Sequence, residues 1–303
     1  PWDHRTPYPD VLVPRYKRLP VKGRIDRDGK VVEKTSKKYL KNILNKFKSE
    51  NVESIAVCLF NSYISDINEK SVFSFIEKFT DFDWVSISSD ISPIIGEYER
   101  SSTVVLNAYV APRTVNYLKI LDKNLTSLGL ETPVLLIQNN GGAISIRKIN
   151  TQPATLLLSG PAAGVGTLNF LSSASKFKNL ISMEIGGTSC DVILMSNSNA
   201  STTDHLIIDG YYLGLPSVDV HTVGAGGGTI AGVDKAGMLF VGPSGAGAKP
   251  GPACYNLGGK LPTITDAQLI LGRLSPGSYA DGSIEMNIDL ARNSIEKFIA
   301  EKL

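Results

Sequence analysis

Residues Ile181–Leu194 read Ile-Ser-Met-Glu-Ile-Gly-Gly-Thr-Ser-Cys-Asp-Val-Ile-Leu. Two apolar runs of strand type flank four small residues, a pattern that predicts a β-hairpin with a tight Gly-Gly-Thr-Ser connection. Gly186 and Gly187 leave their N–H groups unobstructed, and Thr188 and Ser189 add hydroxyl donors. Glu184 and Asp191 flank the turn with carboxylates able to hold a metal ion or its waters. A turn so built accommodates a phosphate, and it is equally the composition of an ordinary hairpin connection.

The first third alternates helix and strand signals. Helices are expected near 36–49 and 66–79, and strands over Ser54–Phe60 and Trp84–Ser88. Such alternation predicts an α/β fold with a parallel or mixed sheet covered by helices. A helical stripe follows over 97–129, marked by Val104, Val105, Ala108, Tyr109, Val115, Leu118 and Leu121, and Pro112 is expected to interrupt or kink it. A strand over Pro133–Gln138 ends in Asn-Asn-Gly-Gly, and the small residues of Leu156–Thr167 suit a close crossing between two domains. From about residue 178 the composition changes to short strands as far as 240, with Gly224–Thr229 ending one of them. Gly242–Pro252 reads as an ordered loop, because its proline and glycine density opposes both helix and ladder strand. Helices near 266–273 and 289–302 close the chain, and Asp266 reads as the N-cap of the first of them. The division expected is 1–177 for the first lobe and 178–303 for the second.

At 303 residues, 42% hydrophobic and 20% charged, the composition is that of a soluble chain with room for two cores. A formal charge of +2 gives no global attraction to nucleic acid, and the lysines at 34, 37, 38, 41, 46 and 48 read as the solvated face of one helix. Cys58, Cys190 and Cys254 are far apart without CxxC spacing, which fits a reducing cytoplasm rather than a disulfide framework. No apolar run approaches the roughly twenty residues of a membrane span. Pro1–Pro9 lack the regions of a signal peptide and an initiator Met, so the chain reads as a piece of something longer or as the product of processing.

Several familiar sites fail on inspection. Gly242 to Gly247 has P-loop spacing, but Ala248 stands where the lysine is required and Pro250 where the helix should begin. Gly224 and Gly226 lack the third glycine of a dinucleotide fingerprint. No Gly-x-Ser-x-Gly elbow occurs, and only His4, His205 and His221 are available to a catalytic triad. In Ser217–Thr222, Asp219 and His221 stand two apart on an expected strand and so share a face. They read either as ligands of a divalent metal or as a structural Asp–His hydrogen bond.

The segment Glu97-Tyr-Glu-Arg-Ser-Ser-Thr-Val-Val-Leu-Asn-Ala-Tyr109 begins a series of blocks that resembles the hydantoinase A / 5-oxoprolinase family, which includes acetone and acetophenone carboxylase subunits. The series continues through Gln138–Gly142, Leu158–Gly164, Gly186–Val192, Asp219–Gly228, Gly242–Tyr255 and Pro262–Ala267 to Leu271–Leu274, and so covers most of residues 52–275. The resemblance implies an actin-like ATPase fold, in which two ribonuclease-H-like lobes of mixed sheets flanked by helices close on a nucleotide. On that mapping Gly186, Gly187, Thr188 and Asp191 match the second phosphate loop, and residues 156–167 match the connection between lobes. Two positions depart from the family pattern, Glu184 standing for its usual Asp and Cys190 for its usual Thr. The family's first phosphate loop, an Asp-Gly-Gly-Thr sequence, does not occur in the chain.

The activity implied is ATP-dependent opening of a cyclic amide such as hydantoin, N-methylhydantoin or 5-oxoproline, with ATP phosphorylating the carbonyl oxygen. ATP-dependent carboxylation and a catalytically incomplete nucleotide-binding module remain as alternatives. The resemblance assigns Gly186, Gly187, Thr188 and Ser189 to the phosphates and Gly226, Gly227 and Gly228 to a second glycine wall. It sets Glu184 and Asp191 near Mg²⁺ or the attacking oxygen. Asp219 and His221 become candidates for a second divalent metal, Zn²⁺ or Mn²⁺, or for the acceptor, with His221 also a candidate catalytic group. It further implies a B-type partner subunit in a heteromeric, oligomeric assembly, and neither a nucleic-acid nor a membrane partner.

Overall fold

The computed structural model describes residues 10–303. Pro1–Pro9, including His4 and the segment read for a leader, lie outside them. The chain forms two compact units, one running through Val165 and taking in Thr202–Val218, the other made of Gly166–Ser201 and Asp219–Leu303.

In the first unit, Ser54–Val57 and Trp84–Ile87 pair as parallel strands, as the alternating pattern requires. The helix Ile67–Phe79 connects them, and the helix Lys37–Ser49 precedes them. Leu40 and Leu44 from one helix and Val72 and Ile76 from the other pack on Ile55, Val57, Leu59 and Ile87. The strand ends at Val57, short of the expected Phe60, which forms an isolated bridge to Arg24.

The helix Glu97–Ser127 runs through Pro112 without the interruption that is one of the two expected effects of proline. Proline removes one N–H there, and the buried stripe Val104, Ala108, Ala111, Val115 and Leu118 keeps the helix seated on either side. Near its start, fully buried Arg100 donates to the Leu59 carbonyl at 2.9 Å and to Ser88 Oγ at 3.2 Å, and it pairs with Glu97. Buried Glu69 accepts from Ser88 Oγ at 2.6 Å, Leu59 N at 2.7 Å and Ser89 N at 2.8 Å. Both charges thus have the hydrogen bonds that burial demands. Thr202–Val218 is fastened to this unit at Gly214, whose N–H donates to Thr103 Oγ1 at 2.8 Å and whose carbonyl accepts from Ser92 Oγ at 2.6 Å.

The second unit is built on an antiparallel sheet in which Cys190–Ser196 lies between Leu180–Ile185 and Val220–Val223. Ile193 and Met195 are buried on one face. The opposite face exposes Ile181, Met183, Ile185, Leu194 and Val223. Thr229–Val233 pairs with Leu239–Gly245, a strand running into the segment expected to be wholly loop. The register steps from Ala231↔Val241 to Thr229↔Gly245, so Gly242, Pro243 and Ser244 fall in an irregularity that needs no N–H from proline. Thr263, not Asp266, is the N-cap of the helix Ile264–Ile270, and Asp266 is the return member of a capping box. Among the described residues no helix is long and apolar enough to cross a membrane.

Candidate functional site

The expected hairpin forms, with Glu184 directly opposite Asp191 and Ile185 opposite Cys190. Gly186 N donates to the Ser189 carbonyl at 2.9 Å and closes the turn. The N–H groups of Gly187, Thr188 and Ser189 have no acceptor among the described residues. A Cβ placed on Gly187 would meet nothing within 4 Å, so open space adjoins Gly187, while Gly226 lies close to the Thr188 and Ser189 nitrogens. Consecutive free N–H groups at an open turn form an anion-binding concavity.

A second glycine segment fixes the turn from behind. Gly227 N donates to the Gly186 carbonyl at 2.8 Å and Gly228 N to the Gly187 carbonyl at 2.7 Å. A Cβ on Gly226 would lie 2.5 Å from the Thr188 nitrogen and 2.6 Å from the Ser189 nitrogen. Gly226–Gly228, read from sequence as a wall facing the nucleotide, therefore lie against the turn itself, with two of their N–H groups spent on it. The segment is held in its turn by Thr265 N donating to the Gly227 carbonyl at 2.7 Å and Ala246 N donating to the Gly228 carbonyl at 2.8 Å.

Behind it, Asp266 is fully buried. Its carboxylate accepts from Cys254 N at 2.7 Å, from Thr263 N and Thr263 Oγ1 at 2.8 Å, and from Ala253 N at 3.3 Å. Burial and then the Asp266 charge push the Cys254 thiol well above the usual thiol range, and burial and the charges of Cys254 and Asp266 raise the Tyr255 phenol. One capping box thereby anchors both the glycine segment and the 253–255 turn.

The register sorts the polar candidates by face. Glu184, Asp191 and Thr222 form one row across three strands, and Thr222 Oγ1 donates to Asp191 Oδ1 at 2.6 Å. His221 stands opposite Val192 and so points to the other face, among Met183 and Val192. The strand expected over Ser217–Thr222 is broken at Asp219, which lies between Ser217–Val218 and Val220–Val223 with its N–H on the Ser201 carbonyl at 2.9 Å. Among the described residues no group of three or more His, Cys, Asp or Glu side chains is placed to hold a metal ion. Thr222 and Thr265 were not singled out from the sequence. Thr263-x-x-Asp266 is the one local signal that pointed toward the latter.

Residues 100–303 match the hydantoinase/oxoprolinase family, and residues 3–80 match the hydantoinase/oxoprolinase N-terminal region. The chain belongs to the hydantoinase/oxoprolinase family. Among its relatives are the caprolactamase subunit alpha of Pseudomonas jessenii, 33% identical over all of this chain and 43% of that protein, and the acetophenone carboxylase gamma subunit of Aromatoleum aromaticum, 34% identical over 97% and 41%. The 5-oxoprolinase of Saccharomyces cerevisiae is 35% identical over 82% of this chain and 19% of that protein. The crystal structure of the ATP-dependent caprolactamase superposes with a TM-score of 0.78 at 33% identity, covering 98% of this chain and 43% of that one. The nucleotide-free structure of acetone carboxylase gives 0.74 at 26% identity, covering 97% and 42%. Both have the actin-like ATPase fold, which is the fold of this α/β family member. The chain spans less than half the length of these relatives.

Proposed function

We propose that this chain carries a phosphate-binding part of an ATP-dependent subunit that opens a cyclic amide of the hydantoin or 5-oxoproline type. The observation that carries the reading is the Gly186–Ser189 turn. It carries three N–H groups without an acceptor among the described residues, open space adjoins Gly187, and two carboxylates lie in register at its base. These residues fit ATP and Mg²⁺ by their chemistry: backbone donors and two hydroxyls suit phosphate oxygens, and Glu184 and Asp191 suit a hard cation or its waters. ATP, when bound, supplies the phosphoryl group that turns an unreactive amide oxygen into a leaving group. The contribution of the chain is positioning and charge placement, which dominate catalysis of phosphoryl transfer. Gly187, Thr188 and Ser189 orient the anion, Gly227 and Gly228 fix the turn that presents them, and Asp191 holds a carboxylate beside it. Similarity to proteins named as alpha and gamma subunits supports a partner chain, which we assign to the B-type subunit of this family.

The test is ATP-dependent phosphate release by the full-length protein with its B-type partner, offered hydantoin, 5-oxoproline, or acetone with bicarbonate. Release stimulated by a cyclic amide and abolished by Asp191→Ala is the expected result. Stimulation by acetone and bicarbonate alone would assign the chain to the carboxylases, and no stimulation by any of them would overturn the enzymatic reading.

A further inference from the structure

Asp191 sits between two unlike neighbours in its row. On one side Glu184 is its direct cross-strand partner, and like charges so placed repel. On the other side Thr222 gives it a hydrogen bond of 2.6 Å between Oγ1 and Oδ1. Thr222 and Glu184 are exposed and Asp191 is half-buried, so water competes for each of these groups and the bond adds little to folding. Its effect is geometric. Beside a like charge on Glu184, a β-branched donor with a stiff χ1 holds Oδ1 toward Val220–Val223 and leaves Oδ2 for another partner.

We infer that Thr222 is a positioning residue that fixes the rotamer of Asp191 for its work at the phosphate turn. The inference rests on the reading of Asp191 given under Proposed function. Among the described residues Thr222 makes its side-chain hydrogen bond to Asp191, so it acts through that carboxylate. Valine at this position keeps the branched shape and the strand preference while deleting the donor, and serine keeps the donor.

In the full-length protein with its partner, Thr222→Val is expected to lower kcat for phosphate release about 10- to 100-fold, the usual effect of removing an orienting partner. The KM for ATP is expected to stay within about twofold, because the turn that binds phosphate is untouched. Thr222→Ser should recover most of the rate, and neither variant should shift the melting temperature. Wild-type kcat in Thr222→Val beside an inactive Asp191→Asn would overturn the role of Thr222 and leave the proposed function standing. Loss of rate with a lowered melting temperature and no recovery by serine would show a merely structural role. An active Asp191→Asn would remove the underlying reading instead. A crystal structure of Thr222→Val decides the matter independently of turnover: an altered Asp191 rotamer supports the inference, and an unchanged one overturns it.

Discussion

Gly226 lies against Thr188 so closely that a single added methyl would overlap the backbone of the Gly186–Ser189 turn, 2.5 Å from the Thr188 nitrogen. No flexible side-chain end stands there to yield, since the contacted atoms are main chain. The glycine segment and the turn are therefore one backbone layer, tied by the Gly227–Gly186 and Gly228–Gly187 hydrogen bonds.

This relationship separates two substitutions that look alike in sequence. Gly226→Ala must displace the turn and is expected to cost roughly 1–3 kcal/mol, the usual range for overpacking a tight site, and to abolish ATP binding. Gly187→Ala meets nothing within 4 Å and should leave stability within about 0.5 kcal/mol. It should nevertheless weaken ATP binding, because its methyl occupies the space beside the free donors. Thermal melts paired with ATP titration check both, and equal stability losses in the two variants would contradict the layered arrangement.

The pH dependence of stability should carry the mark of Cys254. Burial, followed by the neighbouring Asp266 charge, raises its thiol well above the ordinary range. The folded state then holds a proton that the unfolded chain gives up. The stabilisation is fully present below the ordinary thiol value of about 8.5 and is lost as pH rises beyond it, with a limiting slope of about 1.4 kcal/mol per pH unit. Urea titrations between pH 7 and pH 10 should show this decline, and Cys254→Ala should flatten it. Native Cys254 should also resist thiol reagents until the protein unfolds. Rapid native labelling would place the thiol in water, contrary to its burial.

Local chemistry was legible in the sequence and long-range return was not. The hairpin of Ile181–Leu194 follows from its alternating apolar residues and its glycines, and the helices at 37–49 and 67–79 follow from their periodicity. Pro112 does not interrupt its helix because the penalty of proline is local, while the stripe from Val104 to Leu118 that outweighs it depends on packing. Pro243 misled for the converse reason, since a strand tolerates proline where the register slips, and register is a property of two strands. Nothing in Thr202–Val218 announces its attachment through Gly214 to Thr103, more than a hundred residues away. Within the site, the separation of His221 from Asp191 onto opposite faces needed the pairing of Val220–Val223 with Cys190–Ser196.

Asp266 governs the site without touching it. Its carboxylate satisfies the N–H groups of Cys254 and Thr263 in a fully buried position, and the helix start it stabilises presents Thr265 N to the Gly227 carbonyl. Asp266→Ala leaves those buried donors without acceptors, each at a cost of about 1–3 kcal/mol, so a total loss on the order of 3 kcal/mol or more is expected from chemical denaturation. Asp266→Asn keeps an acceptor oxygen toward Cys254 and should lose clearly less. Because Gly227 in turn holds the Gly186 carbonyl, both variants should also weaken ATP binding in proportion to the stability they lose. If Asp266→Ala denatures like the wild type, the anchoring role fails. If it is destabilised yet binds ATP unchanged, the turn is held by the glycine segment alone.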